Sequence, residues 1–177
     1  MFSATPLDGL PPYGPPAQSF PFAGAFREGY VVEFTSNSGD TWIGNFATYD
    51  SNRLSEVRLE LGSSAVMIVA GGWGYIVDID NRRLVRDMEI GIGSVWFDSE
   101  RKALVCANGL WFESHTAEGQ LWQSRRISWD GFRNLKKEGQ IVSGEAYDPS
   151  SMEKPWVSFG IDLFSGEVEG GSYPIGL

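Results

Sequence analysis

The sequence predicts an all-β fold of antiparallel, blade-like four-stranded units. Three observations carry this reading. Aromatic residues make up 14% of the 177, and glycines number 22; this composition suits many short strands joined by tight turns. Short apolar or alternating runs recur between clusters of Gly, Asn, Asp and Ser, whereas no stretch shows a convincing helical period. The same strand–turn logic returns at intervals of roughly 40 residues, the length of a four-stranded repeat.

The elements follow in chain order. Residues 1–25 form a proline-rich N-terminal arm with six of the nine prolines. Proline lacks an amide donor and has a fixed φ, so the arm is neither a helix nor a central strand. Residues 26–177 read as a single β-domain with degenerate internal repeats. Tyr30–Phe34 and Thr41–Phe46 flank the turn cluster Ser36–Asp40 as a hairpin. This first unit lacks room for four strands of its own. Val57, Leu59 and Leu61 alternate with Arg58 and Glu60. Ala65–Ala70 is continuously apolar and reads as a central strand, and Gly71-Gly72 reads as the sharp turn to the next strand, Tyr75–Ile79. Leu84–Met88 follows the turn Asp80–Arg83.

Ser94–Phe97, Ala103–Ala107, Leu110–Glu113 and Gln120–Trp129 make a second set of four. Asn108-Gly109 is the favoured dipeptide of a type I′ hairpin. Phe132–Leu135, Gln140–Tyr147, Trp156–Asp162 and Glu167–Tyr173 make a third. The units superimpose at Gly39, Arg82, Gly119 and Gly166, and Trp42 and Trp122 follow two of these positions at the same spacing. Such a repeat implies a small or incomplete β-propeller, or a related meander or sandwich.

The runs FREGYVVEF, WIGNF, VAGGWGYIVD, NGLWFE, SRRISWDGFRNL, GEAYDP and DLFSGEVEGGSY resemble a family of small uncharacterised bacterial all-β proteins. The resemblance covers most of the chain after Phe26. It implies a bacterial, self-contained β-domain and carries over no catalytic residue. A looser similarity to propeller blades rests on the hairpins alone.

The formal net charge of −9 argues against nonspecific binding to nucleic acid or to an anionic membrane, both of which need a cationic surface. It suits a basic protein partner. The single cysteine, Cys106, permits no intramolecular disulfide and no cysteine zinc site, and it lies in an apolar run where a buried thiol is inert. No apolar run approaches a bilayer span, and no basic residue precedes Arg27, so a secretory n-region is not expected. The expected compartment is the cytoplasm.

No complete catalytic or cofactor motif is present, and the reading favours a non-enzyme with no cofactor and no metal. His115, the only histidine, falls in the polar stretch Ser114–Gly119, where solvation is expected rather than a triad role. Glu113, Glu118, Asp130, Glu145 and Asp148 lie around turns, and a glycosidase would need two of them facing across a cleft. Asp78-Ile79-Asp80-Asn81 lacks the rest of a calcium loop and reads as a self-capped turn.

The densest polar-aromatic stretch is QLWQSRRISWDGFRNL, residues 120–135. Arginine beside tryptophan is the composition of an interface hot spot, although Asp130 capping the turn and Trp129 filling the core would also account for it. The candidate binding residues are Trp129, Asp130, Arg126, Arg133, Trp111 and His115. The expected function is non-catalytic protein binding, in concrete form a cytoplasmic immunity-type inhibitor neutralising a basic bacterial toxin. The alternative is a glycan-binding or glycan-hydrolysing module with its cleft between blades.

Overall fold

A computed structural model describes residues 1–22, 27–88 and 91–174; the expected arm boundary at 25/26 lies outside them. The described residues form sixteen strands and no helix. The strands make four four-stranded sheets, antiparallel but for one parallel pair. The chain divides into two compact units, Met1–Ile92 and Gly93–Leu177, each built of two sheets.

In the first unit β1 (Ser3–Leu7), β2 (Gln18–Phe20), β3 (Tyr30–Thr35) and β4 (Thr41–Phe46) pair in the order β1-β3-β4-β2. The expectation that this region cannot fill a sheet is therefore corrected. The arm supplies the two missing strands, one on each edge of the β3–β4 hairpin. An edge is the only place for Pro6, which has no amide to donate. β5 (Glu56–Arg58), β6 (Ala65–Ala70), β7 (Trp73–Asp78) and β8 (Arg83–Met88) form the second sheet in sequence order. All six residues of β6 are buried, as the apolar run predicts for an interior strand. Gly71 and Gly72 turn the chain into β7 with φ of 54° and 84°, values that favour glycine. The core lies between the two sheets, where Phe34, Trp42 and Phe46 meet Val66, Ile68 and Tyr75.

The second unit repeats this plan. β9 (Ser94–Asp98), β10 (Ala103–Ala107), β11 (Phe112–His115) and β12 (Gln120–Gln123) form one sheet. β13 (Phe132–Glu138), β14 (Ile141–Tyr147), β15 (Trp156–Asp162) and β16 (Val168–Gly170) form the other. Phe112 centres their shared core, with ring centroids 5.5 Å from Trp96, 5.3 Å from Phe132 and 6.0 Å from Phe159.

The repeat seen in the sequence has a structural counterpart. Trp42 Nε1 donates to the Ile79 carbonyl at 3.1 Å, and Trp122 Nε1 donates to the Phe164 carbonyl at 3.2 Å. In each unit the equivalent tryptophan ties the first sheet to a turn of the second. Three of the four superimposed turn positions, Gly39, Arg82 and Gly166, have positive φ.

Two local expectations change. Asn108-Gly109 is not a two-residue hairpin. The Asn108 side-chain oxygen accepts from the amides of Leu110 and Trp111 at 2.9 and 3.0 Å, so the turn is longer. The strand consequently starts at Phe112, two residues later than expected, and carries His115 inside it. The expected strand Gln120–Trp129 leaves its ladder after Gln123. From there Ile127 donates to the Leu110 carbonyl and accepts from Ser172 and Tyr173.

Candidate functional site

The segment after β12 becomes a rigid loop because its own side chains satisfy its backbone. Ser128 is the hub. Its hydroxyl donates to the Gly131 carbonyl at 2.7 Å and accepts from the amides of Asp130 and Tyr147 at 3.2 and 3.0 Å. Ser128 thus caps the turn that the sequence reading gave to Asp130. Asp130 is exposed, and its carboxylate has no hydrogen bond or ion pair among the described residues.

Arg126 is held in the same way. Its Nε donates to the Ser128 carbonyl at 2.9 Å and a terminal nitrogen to the Trp129 carbonyl at 2.8 Å. The guanidinium then lies 4.6 Å from the Tyr173 ring centroid and 5.8 Å from that of Trp129. The two rings contact each other at 4.6 Å. Trp129 is 37% exposed, so it forms surface and does not fill the core. Together the three side chains make a pre-organised cation–aromatic platform. Tyr173 carries no local sequence signal for this site because it arrives from the far end of the chain, past Gly170 and Gly171. Those glycines have φ of 73° and 92° and bring the chain back to Ile127.

Arg133 belongs to a different cluster. Its Nε pairs with Glu145 Oε2 at 2.9 Å across the β13–β14 ladder, and its guanidinium covers the Trp156 ring at 4.3 Å. The Arg133 guanidinium, and then the Asn134 amide, hold the Glu145 carboxyl below its usual value. A depressed carboxylate contributes stability above the unfolded-state value and loses it as pH falls through the lower folded-state value. Glu145→Gln is therefore expected to lower the unfolding midpoint at neutral pH, with the deficit closing as pH falls below about 4. Paired thermal melts across that range measure it; a constant deficit would contradict the assignment.

Trp111 and His115 meet through Glu113, all three on one face of the same extended segment. Glu113 Oε1 accepts from Trp111 Nε1 at 2.7 Å, and Oε2 lies 3.1 Å from His115 Nε2. His115 is 1% exposed, which corrects the expectation of a solvated turn residue. Its Nε2–H tautomer donates to the carboxylate and leaves Nδ1 as a buried atom without a hydrogen-bond partner.

The remaining carboxylates have separate occupations. Asp148 caps its own loop through the Ser150 amide, and Asp78 accepts from the amides of Asp80 and Asn81, the self-capped turn its sequence suggests. Cys106 is buried within β10. Among the described residues no group of three or more His, Cys, Asp or Glu is placed to hold a metal ion, and no helix is long and apolar enough to cross a membrane.

Fold and site together define an all-β protein of repeated four-stranded blade-like units. No family model and no curated protein sequence matches the chain. Solved structures to which the chain is similar include the following three. Hydrazine synthase of Kuenenia stuttgartiensis is 13% identical with a TM-score of 0.48, covering 81% of this chain and 43% of its own. A eukaryotic initiation factor is 12% identical with a TM-score of 0.41, covering 82% and 40%. The WD40 β-propeller domain of Doa1 is 9% identical with a TM-score of 0.37, covering 80% and 49%. The chain spans less than half the length of each of these structures.

Proposed function

We propose that the chain is a non-catalytic protein-binding domain whose partner is a basic protein, in its most concrete form a cytoplasmic bacterial inhibitor of the immunity type. The observation that carries this reading is the platform formed by exposed Trp129 with half-buried Arg126 and Tyr173. Tryptophan, tyrosine and arginine are the residue types that dominate interface energetics, and here their geometry is fixed before any partner arrives. The net charge of −9 would speed encounter with a basic partner. Glu113 and His115, the candidates for chemistry, are buried and engaged with each other, which speaks for structure rather than turnover.

The test is capture by the tagged chain from a lysate of its host. One protein at equal stoichiometry, released by raised salt and losing its own activity in the complex, is the expected result. Trp129→Ala should weaken that complex about 30-fold or more. Failure to find a stoichiometric partner would overturn the reading.

A second reading has one observation behind it. In the first unit a cleft of about 690 Å³ is lined by Phe22, Tyr49 and Trp73, together with Glu28 and Asp50. Aromatic faces beside carboxylates can bind a glycan. Both acids are already occupied, Glu28 by the Leu10 amide at 2.9 Å and Asp50 by the Asn52 amide at 2.9 Å, so binding is favoured over hydrolysis. Thermal shift against a glycan panel separates this reading from the first.

A further inference from the structure

The sheet β13–β14–β15–β16 buries one face and exposes the other. Val142, Ala146, Phe159 and Ile161 point into the core of the second unit. The alternate residues Ile141, Ser143 and Ser158 are exposed. The floor of this outer face is low because its central side chains are small. Ser143 pairs with Gly160 and Glu145 with Ser158. A Cβ built on Gly160 would have nothing nearer than the Ile141 side chain at 3.8 Å. Two concavities open along these register pairs. One, of about 720 Å³, is lined by Arg125, Ile141, Gly160, Asp162, Glu167 and Glu169. The other, of about 380 Å³, is lined by Lys136, Ser143, Glu145 and Ser158. They lie at neighbouring positions along β14 and β15, and the larger one is an acidic groove.

The charge of the larger concavity selects its occupant. Glu167 and Glu169 are exposed on its rim, and neither carboxylate has a hydrogen bond or ion pair among the described residues. The one cation present, Arg125, is engaged elsewhere, donating to the carbonyls of Arg126 and Gly170. A second copy of this chain would bring further net negative charge to an acidic rim. A polypeptide segment bearing lysine or arginine would find carboxylates at one end, the apolar Ile141 beside them and an open floor. The groove also adjoins the platform, because Arg125 borders the groove and the next residue, Arg126, carries the platform.

We propose that this outer face is the docking groove for a lysine- or arginine-bearing segment of the partner protein, with its cationic side chains set against Glu167 and Glu169. The inference rests on the protein-binding reading and gives it a second contact region beside the aromatic platform.

Fluorescence anisotropy with a labelled short peptide of alternating lysine and alanine tests it. The full chain is compared with Glu167→Lys/Glu169→Lys and with Asp8→Lys/Asp87→Lys, a control that makes the same charge change at exposed sites of the first unit. The groove pair is expected to weaken binding about tenfold or more, and the control pair less than about twofold. Equal weakening by both would reduce the effect to net charge and overturn the groove, as would absence of binding to the unaltered chain. The captured partner separates the two proposals. If it binds the groove variant as tightly as the unaltered chain, the groove falls and the protein-binding reading stands. If no partner is captured while the peptide shows the groove-specific loss, the protein-binding reading falls and the groove remains a site for cationic peptide only.

Discussion

Deleting residues 1–22 is expected to unfold the first unit's leading sheet. The arm is part of that sheet. β1 covers the edge of β3 over five residue pairs, and β2 runs parallel to the far edge of β4. Phe20 is 2% exposed and stacks on Phe46 with centroids 4.8 Å apart. Removing it strips one wall from Trp42 and Phe46 and bares two strand edges at once. Phe20→Ala alone should cost about 3 kcal/mol or more, the usual penalty for truncating a buried phenylalanine. The full deletion adds the lost ladders and exceeds what a domain with about 5–15 kcal/mol of stability tolerates. Hydrogen exchange gives a local readout. Amides of β3 and β4 should lose their protection in the deleted chain, while those of β10 and β14 keep theirs. Unchanged protection in β3 and β4 would show that the arm is an accessory.

The arm also shows where the sequence is legible and where it is not. Its prolines forbid a helix or an interior strand, and both arm strands do sit on edges. That they pair at all is a long-range fact. β2 has three residues, too few for any periodicity to show, and its partner lies more than twenty residues away. Interior strands were the easy part, because burial on both faces leaves a continuous apolar run in β6 and β10. At the candidate site composition was informative and pairing was not. Arg126 and Trp129 do lie together, but Tyr173 joins them only through tertiary folding, and Arg133 turns to Glu145 instead. One hydrogen-bonding choice at Asn108 decided the fate of His115. By capping two amides with its side chain, Asn108 delays the strand and carries the histidine from the expected turn into a buried face.

That buried histidine makes Glu113 a sensitive polar residue of the second unit. Glu113 is 7% exposed, and its carboxylate faces the indole N–H of Trp111 and the imidazole of His115 at once. Glu113→Ala leaves both donors without their acceptor and opens a void between them. The unsatisfied donors and the void together cost about 2–4 kcal/mol, which for a unit of this size lowers the unfolding midpoint by roughly 8 °C or more. Glu113→Gln separates electrostatics from packing. The amide keeps the volume and its oxygen still accepts from the indole, but its NH₂ meets His115 Nε2 only if the imidazole changes tautomer and strands Nδ1–H, so a loss of about 1–2 kcal/mol is expected. His115→Ala in the Glu113→Ala background should add less than it does alone, because the two act as one unit. Additive losses would mean that the histidine is stabilised by packing and not by the carboxylate. The same cycle bears on function. A large coupled loss would mark the pair as a structural strut of the blade, and activity would then be sought on the exposed loop and sheet face rather than at the only histidine.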